Sequence, residues 1–245
     1  MKRRFLVLAL AMCVAGGAFA QSLFSAGAGG ILNYGKIGEA NVSMDMLGLM
    51  KLDASASVTA LNFGGFVFFD ATFVDLSIAF LTGPITTTME TSEIPGIAEK
   101  VNEEAKGTMM SLDFTLLGKY PITISDNFTF YPLLGAGYNY VLSAKDEDGN
   151  DIANAAKDES ASDWSTFRIH VGIGGDFDLT DTIYLRGQLL GNYTFAPKTL
   201  KDSKDLADRL SAELSNGGLG DLVKPTIDAN GAFGGTFKIA VGFRF

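Results

Sequence analysis

The sequence predicts an all-β fold, an eight-stranded antiparallel up-and-down transmembrane β-barrel. Three observations predict it. About eight segments alternate apolar and polar residues, as strands with two different faces do. The connections between these segments alternate between short and long. The chain also ends on such a segment, "TFKIAVGFRF", although chain ends usually fray and carry little apolar surface.

The alternating segments contain about 10 to 17 residues each, and a tilted membrane strand needs about 9–11. They lie near residues 23–34, 58–69, 73–82, 108–124, 128–142, 164–179, 183–195 and 232–245. The sixth shows the pattern clearly, because Phe167 and Ile169 share one face while Arg168 and His170 share the other. The second, "LNFGGFVFF", is apolar on both faces, so its sequence does not orient it.

The connections indicate an up-and-down order of strands. The short ones are "DAT" at 70–72, "SDN" at 125–127 and "TDT" at 180–182, and the long ones are 35–57, 83–107, 143–163 and 196–231. Short turns at one end and long loops at the other are typical of membrane barrels, in which the short turns face the periplasm. We therefore expect long outer loops and both chain ends on the periplasmic side.

Three-residue turns would sort the faces of two hairpins, and a slip by one residue would exchange those faces. For "TDT" this register predicts the pairs Phe177–Leu185 and Asp176–Arg186. For "SDN" it predicts Ile124–Phe128, Phe114–Tyr138 and Asp113–Asn139. Apolar residues then lie opposite apolar residues in both hairpins.

The first residues predict a secretory signal peptide over residues 1–20. A basic start at Lys2, Arg3 and Arg4 precedes about ten apolar residues and the small-x-small site that ends at Ala20. That run falls short of the roughly 20 residues that span a bilayer. We expect cleavage after Ala20 and a barrel domain over 21–245. Lipid attachment at Cys13 is the alternative, although the preceding residue is large where lipoprotein signals have a small one.

The mature composition excludes several functional classes. Cleavage removes the only cysteine and three basic residues, which leaves 16 basic against 28 acidic residues and a net charge of −12. Such an acidic chain does not bind nucleic acid. No apolar stretch after Ala20 reaches 18 residues, yet 47% of residues are apolar and the mean hydropathy is +0.21. Two-faced strands reconcile an apolar composition with a high charge.

Alternation alone does not decide which face is outside, because a soluble barrel keeps its apolar face inward. Charges and glycines on the polar face favour a membrane barrel with a narrow polar lumen. Aromatic residues near strand ends resemble the girdles at membrane interfaces. The ones that indicate these girdles are Phe128, Phe130, Tyr131, Tyr138 and Tyr140.

The chain resembles small bacterial outer-membrane barrels of the OmpA, OmpX and OmpW type in four features. They are the signal peptide, the number of strands, the alternation of short and long connections, and the terminal "IAVGFRF". The resemblance covers essentially the whole mature chain. It implies a bacterial outer-membrane location, contact with outer-membrane lipid, and recognition of the last strand by the barrel-assembly machinery. The residues that match this assembly signal are Phe237, Ile239, Val241, Phe243 and Phe245.

The polar face predicts a charge network in the lumen. An eight-stranded barrel is just wide enough for side chains to fill it, and charges at membrane depth are usually paired. The predicted members are Asp75, Asp113, Arg168, His170, Asp176, Arg186 and Lys238. The network either fills the lumen structurally or acts as a gate whose ion pairs exchange partners.

No catalytic, metal or cofactor site is predicted. Some lipid-modifying barrels resemble a Ser/His/acid arrangement with serine two residues after histidine, but that position is Gly172 and His170 faces inward. The acidic "DEDGND" at 146–151 fails the calcium-loop spacing, because Gly149 as the sixth position puts Ala144 first. We therefore expect a protein that is not an enzyme and binds no cofactor.

The remaining hypotheses concern the loops and the role of the barrel. Leu206, Leu210 and Leu214 predict an amphipathic helix over about 200–215, as a lid on other loops or a docking helix. The acidic loops contain no motif that names an external partner, and we expect a monomer. The favoured function is structural or surface-interacting. The alternatives are a narrow passive channel for small or hydrophobic solutes, as the OmpW resemblance implies, and a periplasmic lipid-binding barrel.

Overall fold

The computed structural model describes residues 24–46, 50–92, 102–151, 161–198 and 223–245. Ten strands in these ranges form one sheet. They are β1 Phe24–Met46, β2 Met50–Ala71, β3 Val74–Thr91, β4 Asn102–Lys119, β5 Ile122–Ser125, β6 Phe128–Asp146, β7 Thr166–Asp178, β8 Ile183–Thr194, β9 Val223–Asn230 and β10 Ala232–Arg244. A short 3₁₀ helix, Ala161–Trp164, precedes β7. Over the same ranges, no helix has the length and apolar character to cross a bilayer. The expected signal peptide and the 200–215 helix lie outside the described residues.

The sheet closes on itself because its first strand pairs with its last. β1 pairs with β10 from Ser25–Arg244 to Gly35–Gly234. The ring order is β1, β2, β3, β4, β6, β7, β8 and β10, all antiparallel. β5 follows β4 after Pro121, which has no N–H for the ladder, and β9 precedes β10 on the same neighbour, β1. The predicted eight-stranded up-and-down barrel is confirmed.

Both predicted hairpin registers are confirmed in the long strands, and one hairpin differs from the prediction next to its turn. The pairs Phe177–Leu185 and Asp176–Arg186 form as predicted, and so do Phe114–Tyr138 and Asp113–Asn139. The expected pair Ile124–Phe128 is wrong, because Ser125 pairs with Phe128. A bulge between Thr123 and Ser125 absorbs the extra residue. It leaves the register of the long strands unchanged because it lies at the turn.

At the opposite end the strands run farther than predicted. The expected long connection 35–57 is wrong, because β1 continues to Met46 and β2 begins at Met50. β3, β4, β6 and β9 likewise occupy parts of the expected connections 83–107, 143–163 and 196–231. The barrel therefore continues as an extended sheet beyond the segments that were predicted to cross the membrane.

The two faces of this sheet exchange polarity along β2. Near the tight-turn end, Val67 and Phe63 are exposed on the outside while Asn62 is buried inside. Farther along, Val58 and Ala60 are buried inside, and strand alternation turns Ser55, Ser57 and Thr59 outward. Along this part of β2 the sheet thus has a polar exterior and an apolar interior, as a sheet in water requires. The loop prediction for 35–57 is wrong because a strand outside the membrane carries this reversed pattern and not the pattern of a lipid-facing strand.

Aromatic side chains form two belts on the exterior. Near the tight turns, the rings of Phe24 and Phe69 stack with centroids 5.7 Å apart. Toward the other end, the rings of Tyr193 and Phe233 meet edge to face at 5.1 Å. Tyr138 is also exposed there, at 45%. Such belts mark the two interfaces of a membrane-spanning segment.

The strand that the sequence could not orient, "LNFGGFVFF", is resolved by burial. Phe66 and Phe68 are 4% exposed and point into the lumen, whereas Val67 and Phe69 are exposed on the outside. The lumen therefore contains large aromatic rings as well as charges. That combination positions the candidate site.

Candidate functional site in the barrel lumen

The structure places every predicted lumen residue on the inner face, with at most 6% of each exposed. Five strands supply them, namely β3, β4, β7, β8 and β10, because alternate residues of each strand point inward. These residues are Asp75, Asp113, Arg168, His170, Asp176, Arg186 and Lys238. They do not form a single network: the side chains fall into a lower cluster near the tight turns and an upper pair.

The lower cluster is centred on Arg186 and consists of Asp70, Asp75, Lys119, Asp176 and Arg186. Arg186 donates from Nε and Nη2 to the two oxygens of Asp176, at 2.8 and 2.7 Å. Its Nη1 donates to Asp75 at 2.7 Å, and Nη2 also reaches Asp70. Lys119 forms a second ion pair with Asp70. One guanidinium thus binds carboxylates from β2, β3 and β7.

Aromatic rings enclose this guanidinium. Its carbon lies 4.5 Å from the ring centre of Phe68 and 5.2 Å from that of Tyr184. Tyr131 donates a hydrogen bond to Asp176 at 2.8 Å. Rings around a desolvated cation add attraction of about 2 kcal/mol or more. The prediction that Tyr131 belongs to a membrane girdle is wrong, because this side chain is fully buried in the lumen, where its hydroxyl is bonded to Asp176.

Glycines of neighbouring strands make room for these rings. A side-chain carbon on Gly174 would lie 2.2 Å from the Tyr131 ring, and one on Gly242 would lie 2.2 Å from the Tyr184 ring. The inward glycines were expected to accommodate long charged side chains. At these two positions they accommodate aromatic rings that in turn pack against the charges.

Two members of the lower cluster were missed by the sequence analysis. Asp70 was assigned to the turn "DAT", but it ends the inward series of β2 that contains Phe68 and Phe66. Lys119 lies at the last position of β4, and its ammonium is 4.8 Å from the Tyr131 ring centre. Alternation along β2 would have indicated Asp70 had that strand been oriented.

The upper pair joins β4 to β7 across the strand between them, β6. Arg168 Nη1 lies 3.2 Å from Asp113 Oδ2, and the Thr115 hydroxyl donates to Asp113 Oδ1 at 2.6 Å. Asn139 next to it donates to Ser111 at 2.9 Å. The Asp113 carboxylate is therefore bonded through both of its oxygens, whereas Arg168 Nε has no partner among the described residues, so the ion pair is satisfied on its acidic side only.

Lys238 and His170 lie inside the barrel, and no carboxylate of the residues that the structure describes is bonded to them. Lys238 donates to the Ser77 hydroxyl at 2.8 Å, and its ammonium is 5.3 Å from the Phe66 ring centre. In the described part of the chain, neither ring nitrogen of His170 has a hydrogen-bond partner. No hydroxyl is thus hydrogen-bonded to this imidazole to act as a nucleophile.

The almost fully buried charges balance. Among the described residues, four carboxylates and four cations have side chains at most 8% exposed. They are Asp70, Asp75, Asp113 and Asp176, with Lys119, Arg168, Arg186 and Lys238. A lumen without net charge has no excess of fixed charge to attract ions of one sign.

An apolar cluster, here called the outer core, fills the interior where the sheet leaves the membrane zone. Its members are Ile37, Val58, Ala60, Ile85, Met109 and Val141, and Trp164 of the 3₁₀ helix packs against them. Each of the six is at most 7% exposed. The outer core therefore gives the interior above the upper pair an apolar lining, and it was not predicted because part of this region was assigned to loops.

The residues of the predicted assembly signal all point outward from β10 and the chain end. Phe237, Ile239, Val241, Phe243 and Phe245 are between 40% and 69% exposed. The Phe245 amide donates to the Phe24 carbonyl at 3.2 Å, which ties the chain end to the first strand. Their role in assembly remains a prediction.

Comparison with known proteins agrees with this geometry. A family model described as the outer membrane protein beta-barrel domain matches residues 5–245. The chain belongs to this outer-membrane β-barrel family. Membership places the barrel in the bacterial outer membrane, with its tight turns toward the periplasm. No curated protein matches the chain.

Solved structures with a similar course of the chain are outer-membrane proteins of low identity. OprG of Pseudomonas aeruginosa is 12% identical, with 92% of this chain and 96% of that one covered and a TM-score of 0.44. The protease OmpT of Escherichia coli is 9% identical, with coverages of 93% and 98% and a TM-score of 0.41. Ail of Yersinia pestis is 14% identical, with coverages of 91% and 99% and a TM-score of 0.28. The family assignment rests on the family match and the closed sheet.

The lumen side chains are suited to holding the barrel shut. Arg186 binds Asp75 from the opposite wall, Arg168 binds Asp113 across the intervening strand β6, and apolar side chains pack together at the outer end. Among the described residues, no group of three metal-ligating side chains is arranged to hold a metal ion, and the three carboxylates of the lower cluster bind Arg186 instead. The chemistry of the site is electrostatic cross-linking between strands.

Proposed function

We propose that this barrel is a closed, non-enzymatic scaffold that presents an extended sheet at the cell surface, in a structural or surface-interacting role. The continuation of β1, β2, β3 and β4 beyond the exposed apolar belt, with polarity reversed, carries this proposal. A protein that served only to fill the membrane would not need an ordered sheet above it. Binding function in outer-membrane barrels is expected on such projecting parts.

Cysteine labelling on intact cells tests the surface position. Ser57→Cys places a thiol on the outer face of the extension, and Ser125→Cys places one at a tight turn. A membrane-impermeant maleimide should label the first on intact cells and the second only after the outer membrane is opened. Cys13 is the only natural cysteine, so the unchanged protein gives the background. Labelling of Ser125→Cys alone on intact cells would overturn the proposal.

A narrow passive channel for small or hydrophobic solutes is the second candidate function. One observation favours it: at successive inward positions of β7, the residues Thr166, Arg168 and His170 each have a buried polar atom without a partner among the described residues. Polar atoms of this kind favour a hydrated lumen. Swelling of proteoliposomes in small sugars tests this candidate. We expect no swelling above empty liposomes, and sustained swelling would favour the channel.

For biogenesis we propose export by the 1–20 signal peptide, cleavage after Ala20, and recognition of the last strand by the barrel-assembly machinery. The outward-facing apolar residues of β10 and the chain end, up to Phe245, support this, since they form one continuous apolar row on the last strand. The closed ring leaves no unpaired strand in the membrane zone, which favours a monomer in outer-membrane lipid. Mass spectrometry of the mature protein tests the cleavage site.

A further inference from the structure

The chain contains a single histidine, His170, which lies in the lumen with 2% of its surface exposed. Its ring lies over Gly137 of β6, because a side-chain carbon on that glycine would be 2.7 Å from His170 Nε2. Neither ring nitrogen has a hydrogen-bond partner among the described residues. The imidazole is therefore held in place by packing and not by hydrogen bonds.

The charged groups that surround this imidazole come from three strands. They are Arg168 of β7, Asp113 of β4 and Lys238 of β10. The register partners of His170 are uncharged, since they are Gly135 on β6 and Asn192 on β8. The imidazole therefore interacts with two cations and one carboxylate.

The one carboxylate near His170 is already occupied. Asp113 accepts hydrogen bonds through both oxygens, from Thr115 and from Arg168. Within the described part of the chain, Lys238 is bonded to a hydroxyl and not to a carboxylate. A proton on His170 would therefore add a third cation to a region with a single carboxylate, and like charges repel strongly in a buried, low-dielectric site.

Opening of the upper pair would remove this repulsion. Water that entered between Arg168 and Asp113 would solvate both side chains, and the freed carboxylate could then bind a protonated His170. A histidine in water takes up its proton at about pH 6.5. The proton thus binds the opened lumen more tightly than the closed one, and by linkage acid shifts the equilibrium toward the opened lumen.

We propose that His170 is an acid-sensitive switch, which opens the upper lumen when it takes up a proton and draws Asp113 away from Arg168. At neutral pH the imidazole is uncharged and the upper pair is intact. Below about pH 6.5 the ratio of open to closed barrels rises by up to about tenfold per pH unit, because opening is coupled to one proton. The surface role of the extension does not depend on this switch.

Single-channel recording of the mature barrel in planar bilayers, from about pH 7.5 to about pH 4.5, tests the switch over two units below the usual histidine pKa. For the unchanged protein we expect an open probability that rises by up to about 100-fold across those two units. His170→Gln replaces the imidazole with an amide that does not titrate, so it should stay closed over the whole range. His170→Asn is a second, smaller amide variant with the same expected result. Heat-modifiable gel mobility confirms that each variant has folded.

Two results would overturn the proposal. One is an open probability of the unchanged protein that does not rise on acidification. The other is an equal rise in the unchanged protein and in a folded amide variant, because acid would then act through a carboxylate such as Asp113 and not through His170.

Discussion

Arg186 and Asp176 face each other across β7 and β8 and are joined by two hydrogen bonds, from Nε to Oδ1 at 2.8 Å and from Nη2 to Oδ2 at 2.7 Å. This paired geometry is the strongest form of the arginine–carboxylate interaction. The same guanidinium also binds Asp75 and Asp70. Arg186 is therefore the cation that three buried carboxylates share in the lower half of the lumen.

Arg186→Met should destabilise the barrel strongly. Three buried carboxylates would lose their common cation, and breaking a buried pair costs about 3–5 kcal/mol. The free energy of unfolding, measured by urea titration in lipid vesicles, gives the value. Arg244→Met is the control, because its ion pair with Asp178 is partly exposed and such pairs are worth about 0–1 kcal/mol. Equal losses in the two variants would contradict the account.

Gly174→Ala should destabilise the barrel because the Tyr131 ring occupies the space for a side chain. We expect a loss of about 1–3 kcal/mol from overpacking. Gly187→Ala, where no atom lies within 4 Å of the added carbon, is the matched control and should be close to neutral. In a Tyr131→Ala background the ring is gone, so Gly174→Ala should cost less there than in the unchanged barrel. A neutral Gly174→Ala variant would show that the ring is not fixed there.

The reversal of polarity along β2 predicts that a lysine substitution lowers the free energy of unfolding strongly on the apolar belt and hardly at all on the extension. Val67→Lys puts a charge on the exposed apolar belt and should cost about 2–4 kcal/mol. Ser57→Lys puts it on the outer face of the extension and should change the free energy of unfolding by less than about 0.5 kcal/mol. Urea unfolding in vesicles compares them. A large loss from Ser57→Lys would place that face in lipid or against protein.

The course of the strands through the membrane could be predicted because lipid imposes a strict alternation. Every segment predicted to cross contains a strand of the ring, and the pairs Asp176–Arg186 and Asp113–Asn139 follow from turn length alone. Beyond the membrane the same alternation is reversed. Polar residues alternate with Ala54, Ala56, Val58 and Ala60. This reversed alternation indicates that β2 continues as a strand beyond the membrane.

The lumen was predicted in composition but not in grouping. Inward position follows from alternation, so the charged residues could be named. Which carboxylate meets which cation depends on contacts across the barrel, such as Arg186 with Asp75, which join strands far apart in sequence. The aromatic enclosure by Phe68 and Tyr184 depends on the same contacts.

Deletion of Phe245 should impair assembly more than stability. The residue is 69% exposed at the end of the outward apolar row, so its removal leaves the lumen untouched. We expect less heat-modifiable barrel in the outer membrane of expressing cells, with nearly unchanged urea unfolding of the fraction that assembles. Phe233→Ala, at the other end of β10 and 78% exposed, is the control. Normal assembly of the variant that lacks Phe245 would show that this residue is not part of the assembly signal.

Single-channel recording of the mature protein in planar lipid bilayers at neutral pH tests the closed lumen most directly. Charge-balanced ion pairs and the outer core predict no conductance steps from the unchanged barrel. Asp113→Asn would release Arg168 and should produce steps if these ion pairs act as a gate. Steady conductance of the unchanged protein, with the size and ion dependence of an open pore, would contradict the account.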